Sequence, residues 1–151
     1  MVNKIYLGSD HAGFSLKQKL KQYFENNDIT YEDLGSFEKN ENDDYPDYII
    51  PVARSVSKDK LTLGIIIGGS GQGEAIAANK IKGVRAAVYY GKNPKILKLS
   101  KEHNDANILS LGARFLSEKE AINAIKLWLN SKFSKLRNHQ RRIKKIDKLG
   151  S

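Results

Sequence analysis

Cysteine is absent from the 151 residues of this chain, which excludes disulfide bonds, catalysis by a thiolate and metal sites built on cysteine. Proline is scarce, and a composition with 40% hydrophobic residues is that of a globular protein. No apolar stretch approaches the roughly 20 residues of a membrane span. The N-terminus lacks a basic segment followed by an apolar one, so we expect no signal peptide and a cytoplasmic protein.

Positive charge is concentrated at the end of the chain. The net charge is +9, and the last twenty residues hold eight basic side chains against the single acid Asp147. The basic residues are Lys132, Lys135, Arg137, Arg141, Arg142, Lys144, Lys145 and Lys148. Charge alone leaves three interpretations open, namely a nucleic-acid surface, a site for a small phosphorylated ligand and a solvated helix face.

Strand and helix patterns alternate along the chain, which predicts a single α/β domain over residues 1–151 with a mainly parallel sheet. The predicted strands are 2–8, 29–34, 61–67, 84–89 and 108–111, and the predicted helices are 14–26, 48–58, 72–81, 94–103, 117–133 and a basic helix over about 134–148. Pro51 fits its helix only in the first turn, and Ser117 with Glu120 predicts a capping box. Ligands bind outside the carboxyl ends of parallel strands, so we expect the chemistry in the segments that follow the strands.

Three of these segments carry unusual residues. The first, residues 8–13, holds Asp10 and His11, which could move protons or contact a ligand, although Asp10 could also simply cap the next helix. The second, residues 68–74, contains four glycines and opens a helix, so its exposed backbone N–H groups can bind an anion or oxyanion. Neither the dinucleotide fingerprint nor the P-loop pattern fits this loop.

Glu74 follows the glycine loop directly. It is either a first-turn acid favoured by the helix dipole or a carboxylate beside an oxyanion hole, where it could remove a proton α to a carbonyl. A third polar segment begins at His103, which could be a helix C-terminal cation. However, the chain has only three histidines, and His11, His103 and His139 all fall in polar segments. That pattern favours a shared site.

Four motifs cover almost the whole chain in order and spacing. They are G-S-D-H-A-G at 8–13, Y-P-D-Y at 45–48, G-G-S-G-Q-G-E-A-I-A-A-N-K at 68–80 and H-N-D-A-N-I-L-S-L-G-A-R at 103–114. As a set they resemble the ribose-5-phosphate isomerase B family, which also includes the galactose-6-phosphate isomerase subunits. The resemblance implies a three-layer, Rossmann-like domain with a five-stranded parallel sheet. It also implies a homodimer whose C-terminal helices reach the partner, with no metal or organic cofactor.

The resemblance further implies reversible isomerisation of ribose 5-phosphate and ribulose 5-phosphate through a cis-enediolate. Members of the family use as base either a cysteine at the position of Gly68 or a glutamate at the position of Glu74, and this chain has the glutamate. His103 is then the acid that opens the sugar ring, with Asp10 and Ser70 nearby. The implied substrate contacts are Asp10, His11, Gly69, Ser70, Gly71, Gln72, Gly73, Asn104, Arg114, Asn138, His139 and Arg142, the last from the partner subunit.

One departure from the family pattern concerns the last helix. Relatives commonly carry R-H-x-x-R there, whereas Asn138 precedes His139 in this chain and Arg142 fits the second arginine. Arg137, Asn138 and Arg141 are the candidates to replace the first. Two alternatives stay open at this point, an isomerase of a six-carbon sugar phosphate such as allose or galactose 6-phosphate and, more distantly, a basic nucleic-acid-binding protein.

Overall fold

A computed structural model describes residues 2–149 as a three-layer α/β fold. The strands are β1 (Lys4–Ser9), β2 (Tyr31–Asp33), β3 (Thr62–Gly68), β4 (Ala86–Tyr89) and β5 (Ile108–Gly112). The helices are α1 (His11–Asn26), α2 (Pro46–Lys58), α3 (Gln72–Ala78), α4 (Lys95–Asn104), α5 (Glu118–Asn130) and α6 (Arg137–Asp147). All strand pairs are parallel, in the order β2-β1-β3-β5-β4, which confirms the predicted sheet.

The sheet is covered on both faces. The central strand β3 is buried at every position, as its continuous apolar run predicts for a strand between two helical layers. On one face α1, α4 and α5 pack side chains such as Phe24, Leu97 and Trp128 against the sheet. On the other face α2 and α3 pack Val52 and Ala78 against it. These two apolar clusters make the two interfaces of a three-layer domain.

Two helices begin earlier than the sequence predicts. Helix α1 begins at His11, because the Asp10 carboxylate accepts a hydrogen bond from the Gly13 N–H (3.1 Å) and caps the helix. Helix α2 begins at Pro46, so Pro51 lies in the second turn and the expectation that it occupies the first turn is wrong. Pro46 takes the N-terminal position where a missing N–H costs nothing, and the helix loses one internal hydrogen bond at Pro51.

The later elements follow the predicted order with shorter helices. The Ser117 capping box with Glu120 is confirmed, with hydrogen bonds in both directions. Helix α5 ends at Asn130 rather than at residue 133, and α3 ends at Ala78 rather than at residue 81. Within residues 2–149, no helix combines the length and the apolar character needed to cross a bilayer.

The ends of α4 and α5 enclose the only tryptophan of the chain. Trp128 is fully buried and donates a hydrogen bond from Nε1 to Ser100 Oγ (3.2 Å). The Lys101 ammonium lies 4.3 Å from the centre of the indole ring, a distance at which cation–π attraction operates. Burial lowers the pKa of Lys101 to about 8. This arrangement ties the end of α4 to the end of α5.

Candidate active site

The parallel sheet has two functionally different edges. We call the edge where the strands end, next to Gly68 and Gly112, the carboxyl edge, and the opposite one the amino edge. The helices that connect parallel strands run back across the sheet, so each begins at the carboxyl edge and ends at the amino edge. The two edges are separated by the length of the strands, about 15 Å for the five residues of β5.

Glu74 lies at the carboxyl edge in the first turn of α3, and only 4% of it is exposed. Its carboxylate lies against Gly68, the last residue of β3, so closely that a Cβ atom on this glycine would overlap it. Burial raises the pKa of Glu74, its backbone hydrogen bond lowers it, and the charge of Asp10 raises it again. A carboxyl with a raised pKa, held by the end of a buried strand, suits a general base.

The glycine loop between β3 and α3 turns sharply in front of Glu74. Gly71 adopts a left-handed conformation (φ +77°), which favours glycine, and its carbonyl accepts a hydrogen bond from Ser110 Oγ (2.7 Å). Ser70 Oγ accepts the N–H of Gln72 (3.3 Å). The backbone N–H groups at the start of α3 have no acceptor inside the helix. The loop can therefore present fixed donors to a negative oxygen beside Glu74.

Two large side chains lie over this loop because it lacks side chains of its own. A Cβ atom on Gly69 would lie 3.0 Å from Nη1 of Arg114, and one on Gly73 would lie 2.8 Å from the ring of Tyr45. The guanidinium of Arg114 has no hydrogen bond or ion pair within residues 2–149. It is therefore free to bind an anion. Tyr45 is the first residue of the Y-P-D-Y motif, and its position over the loop does not follow from the sequence.

His11 lies at the same edge and is held by an acid that sequence analysis missed. Its Nδ1 is 2.7 Å from Oδ1 of Asp43, which also accepts the backbone N–H of His11 (3.2 Å). The hydrogen bond to Asp43 raises the pKa of His11 most; burial lowers it, Asp10 raises it and Arg114 lowers it. Asp10, His11 and Asp43 place side-chain nitrogen or oxygen atoms within 4.8 Å of one another, and a hydrogen bond joins His11 and Asp43, whereas Asp10 Oδ1 accepts the N–H of Gly13.

A second cluster lies at the amino edge, where α4 ends at His103 and Asn104. The rings of His103 and His139 stack with their centres 4.3 Å apart, and Ser134 Oγ lies 2.6 Å from Nδ1 of His139. Burial lowers the pKa of His139, and the nearby charges of His103 and Arg142 lower it further. Arg142 lies one helical turn after His139 on α6 and therefore belongs to this cluster. Within one chain, the structure does not bring His103 and Asn104 to Glu74.

Helix α6 separates the arginines that sequence analysis left as alternatives. Arg137 and Arg141 line a basic groove on one side of the helix, together with Lys144 and Lys148. Arg142 instead lies near His139, where its positive charge lowers the pKa of that histidine. Asn138, which stands where relatives commonly have the first arginine, accepts the N–H of His139 with its side chain (2.9 Å).

The chain is similar to proteins of one enzyme family over nearly its whole length. The model of the ribose/galactose isomerase family matches residues 5–146. Ribose-5-phosphate isomerase B of Mycolicibacterium paratuberculosis is 40% identical over 140 residues, which cover 93% of this chain and 87% of the relative.

Solved structures agree with this similarity. Ribose-5-phosphate isomerase B of Mycoplasma genitalium, with bound ribulose 5-phosphate, superposes with a TM-score of 0.90 at 39% identity and covers 95% of this chain and 93% of its own. The crystal structure of the Thermotoga maritima enzyme gives a TM-score of 0.88 at 40% identity, with coverages of 95% and 97%.

Proposed function

The chain belongs to the ribose/galactose isomerase family, and we propose that it interconverts ribose 5-phosphate and ribulose 5-phosphate with Glu74 as the base. An aldose–ketose isomerase of this kind removes a proton from C2 of the open-chain aldose and returns one to C1 through a cis-enediolate. The observation that carries the assignment is the buried Glu74 carboxylate beside the glycine loop. Its raised pKa brings the base closer to neutral pH, where proton transfer from a weak carbon acid is most efficient.

The glycine loop stabilises the charge that develops on the enediolate oxygen. Residues 69–73 present backbone N–H groups beside Glu74, and the hydrogen bond from the Gln72 N–H to Ser70 Oγ (3.3 Å) fixes the turn of the loop before the substrate binds. Loss of a single donor of this type typically costs about 10²–10³ in rate. Asp10 caps α1 close enough to raise the pKa of Glu74, and it is available to the sugar ring from this edge.

The ring-opening and phosphate groups come from a second copy of the chain. His103, Asn104, His139 and Arg142 lie at the amino edge, too far from their own Glu74 to share a substrate with it. A two-fold dimer that places the amino edge of one chain against the carboxyl edge of the other has two identical composite sites. In each site His103 of one chain opens the ring, and Arg142 binds phosphate.

This arrangement refines what the sequence suggested. The resemblance implies that the C-terminal helix with Arg142 reaches the partner, and the topology of α4 supports the proposal that His103 and Asn104 come from the partner as well. His11 and Arg114 bind the phosphorylated sugar from the chain that supplies Glu74. The homodimer, the separate residue roles and the cytoplasmic location stay predictions.

The direct test is a comparison of sugars of two sizes. We expect kcat/KM for ribose 5-phosphate to exceed that for allose 6-phosphate and galactose 6-phosphate by at least about tenfold, since a site fitted to one chain length discriminates by about 1–3 kcal/mol per carbon group. The family description also names galactose, so a preference for a six-carbon sugar would assign the chain to the other branch. No isomerisation of any of the three would overturn the proposal.

A further inference from the structure

The loop between β2 and α2 contains one acid that differs from its neighbours. The side chain of Asp43 is only 2% exposed, whereas Asp44 and Asp47 are exposed on the same loop and helix start. The polar contacts of Asp43 Oδ1 both go to one residue, because it accepts the backbone N–H (3.2 Å) and faces the ring Nδ1 (2.7 Å) of His11. A loop acid has thus been folded inward onto a single histidine.

The burial of this carboxylate needs compensation from His11. The second oxygen, Oδ2, is buried and has no hydrogen-bond partner within residues 2–149. A buried carboxylate is costly unless it is paired, so the Nδ1–H of His11 is the contact that offsets the cost. Because a carboxylate only accepts hydrogen bonds, Nδ1 must carry the proton in this pair.

Two further charged groups, besides Asp43, lie near His11, whose Nε2 remains available to a ligand. Asp10, at the start of α1, and Asp43 raise the pKa of His11, while Arg114, after β5, lowers it. The guanidinium of Arg114 has no acid partner in the described chain. Two cationic groups near each other at the mouth of the site repel one another until an anion lies between them.

We propose that Asp43 is a positioning residue, which fixes the His11 ring so that Nε2–H, together with Arg114, binds the phosphate of the sugar. The inference rests on the proposed function and deepens it, since it names which group holds one phosphate ligand in place. Asp43 does not touch the substrate. It acts by holding the tautomer, the ring orientation and the positive charge of His11.

The test is Asp43→Asn, which keeps the shape and an acceptor oxygen but removes the charge. The pKa of His11, followed by NMR through its Cε1–H resonance and assigned with His11→Gln, should fall. At a pH between the His11 pKa values measured for the variant and for wild type, the KM for ribose 5-phosphate should then rise by about tenfold, with kcat changed less than about twofold, because binding loses a charge-assisted hydrogen bond while Glu74 is untouched. The rise in KM should begin at lower pH than in wild type, since the ring becomes neutral sooner.

The matched control is Asp44→Asn, which removes the same charge from the next residue and should leave both the His11 pKa and KM unchanged. An equal shift in the two variants, or none in Asp43→Asn, would overturn the inference. The wild-type protein gives a second test, because a His11 pKa at or below the ordinary value of about 6.5 would also overturn it. If wild type does not isomerise ribose 5-phosphate, the proposed function fails, yet the two pKa measurements still decide the Asp43–His11 pair.

Discussion

The two edges of the sheet hold their functional groups in different ways. At the carboxyl edge, glycines let the backbone approach the base, and Glu74 is buried against the end of β3. At the amino edge, side chains on α4 and α6 stack two rings and present cations to solvent. Proton abstraction needs a position fixed to a fraction of an ångström, which a buried strand provides, whereas phosphate can be bound by longer side chains on helices of a partner.

The largest effect should follow from Glu74→Gln. The amide has the same shape but cannot accept the carbon proton, so kcat should fall by about 10²–10⁴ while the fold and ribulose 5-phosphate binding persist. Circular dichroism and calorimetric titration check the last two points. If the variant kept more than a few per cent of the wild-type kcat, Glu74 would not be the base, because the loss of a general base leaves about one per cent or less.

A smaller but still large loss should follow from Gly68→Ala. The added Cβ overlaps the Glu74 carboxylate, which must move away from the substrate carbon, and a displacement of this size costs about 10² in kcat. The control is the same change in a Glu74→Ala background, where it should alter the residual rate by less than about twofold. Equal losses in both backgrounds would show that Gly68→Ala damages the fold rather than the position of the base.

A selective loss, about tenfold, should follow from His103→Asn, because its proposed role is ring opening. Ribulose 5-phosphate cannot close to a furanose through O5, which carries the phosphate, so it enters as the open chain. Turnover of ribose 5-phosphate should therefore fall more than exchange of solvent deuterium into the ketose. Equal losses in the two assays would assign His103 to proton transfer or to folding.

Activity should return to about a quarter of wild type when Glu74→Gln and Arg142→Ala chains, each nearly inactive alone, are unfolded, mixed equally and refolded. Random pairing makes half the dimers mixed, and in each of these one site receives both lesions and the other none. The control is a mixture of Arg142→Ala with His103→Asn. Both lesions lie at the amino edge, so every site keeps one and mixing should restore nothing.

Native mass spectrometry should confirm that heterodimers form in the mixture of Glu74→Gln and Arg142→Ala. If that mixture is then no more active than its parents, the composite site is contradicted. Arg141→Ala serves as a further comparison. Arg141 faces the basic groove rather than His139, so its loss should change kcat/KM by less than about threefold.

Local patterns predicted most of the fold. The apolar run of β3, the glycine loop and the Ser117 capping box each act over a few residues, and the structure has all three. Pro51 was misjudged because Pro46, five residues earlier, begins the helix and moves Pro51 to the second turn. Here a short-range rule gave the wrong answer because two prolines compete for one helix start.

The site was predicted less completely because part of it depends on contacts between distant residues. Asp43 meets His11 across 32 positions, and nothing local distinguishes it from the other acids of its loop. The place of His103 was available from topology, since a helix that returns between parallel strands ends at the amino edge. The sequence pattern favoured a shared site because all three histidines lie in polar segments. That reasoning did not distinguish His11, which follows a strand, from His103, which precedes one.

The buried Trp128, with Lys101 over its ring, has an optical consequence. Since the chain has one tryptophan, fluorescence excited at wavelengths that its seven tyrosines do not absorb originates at a single place, where α4 and α5 end. That place adjoins the edge we assign to the partner, while the base lies at the far end of the strands. This fluorescence therefore offers an unlabelled signal of how the ends of α4 and α5 are packed, and Glu74→Gln and Gly68→Ala, at the opposite end of the strands, should leave it unchanged.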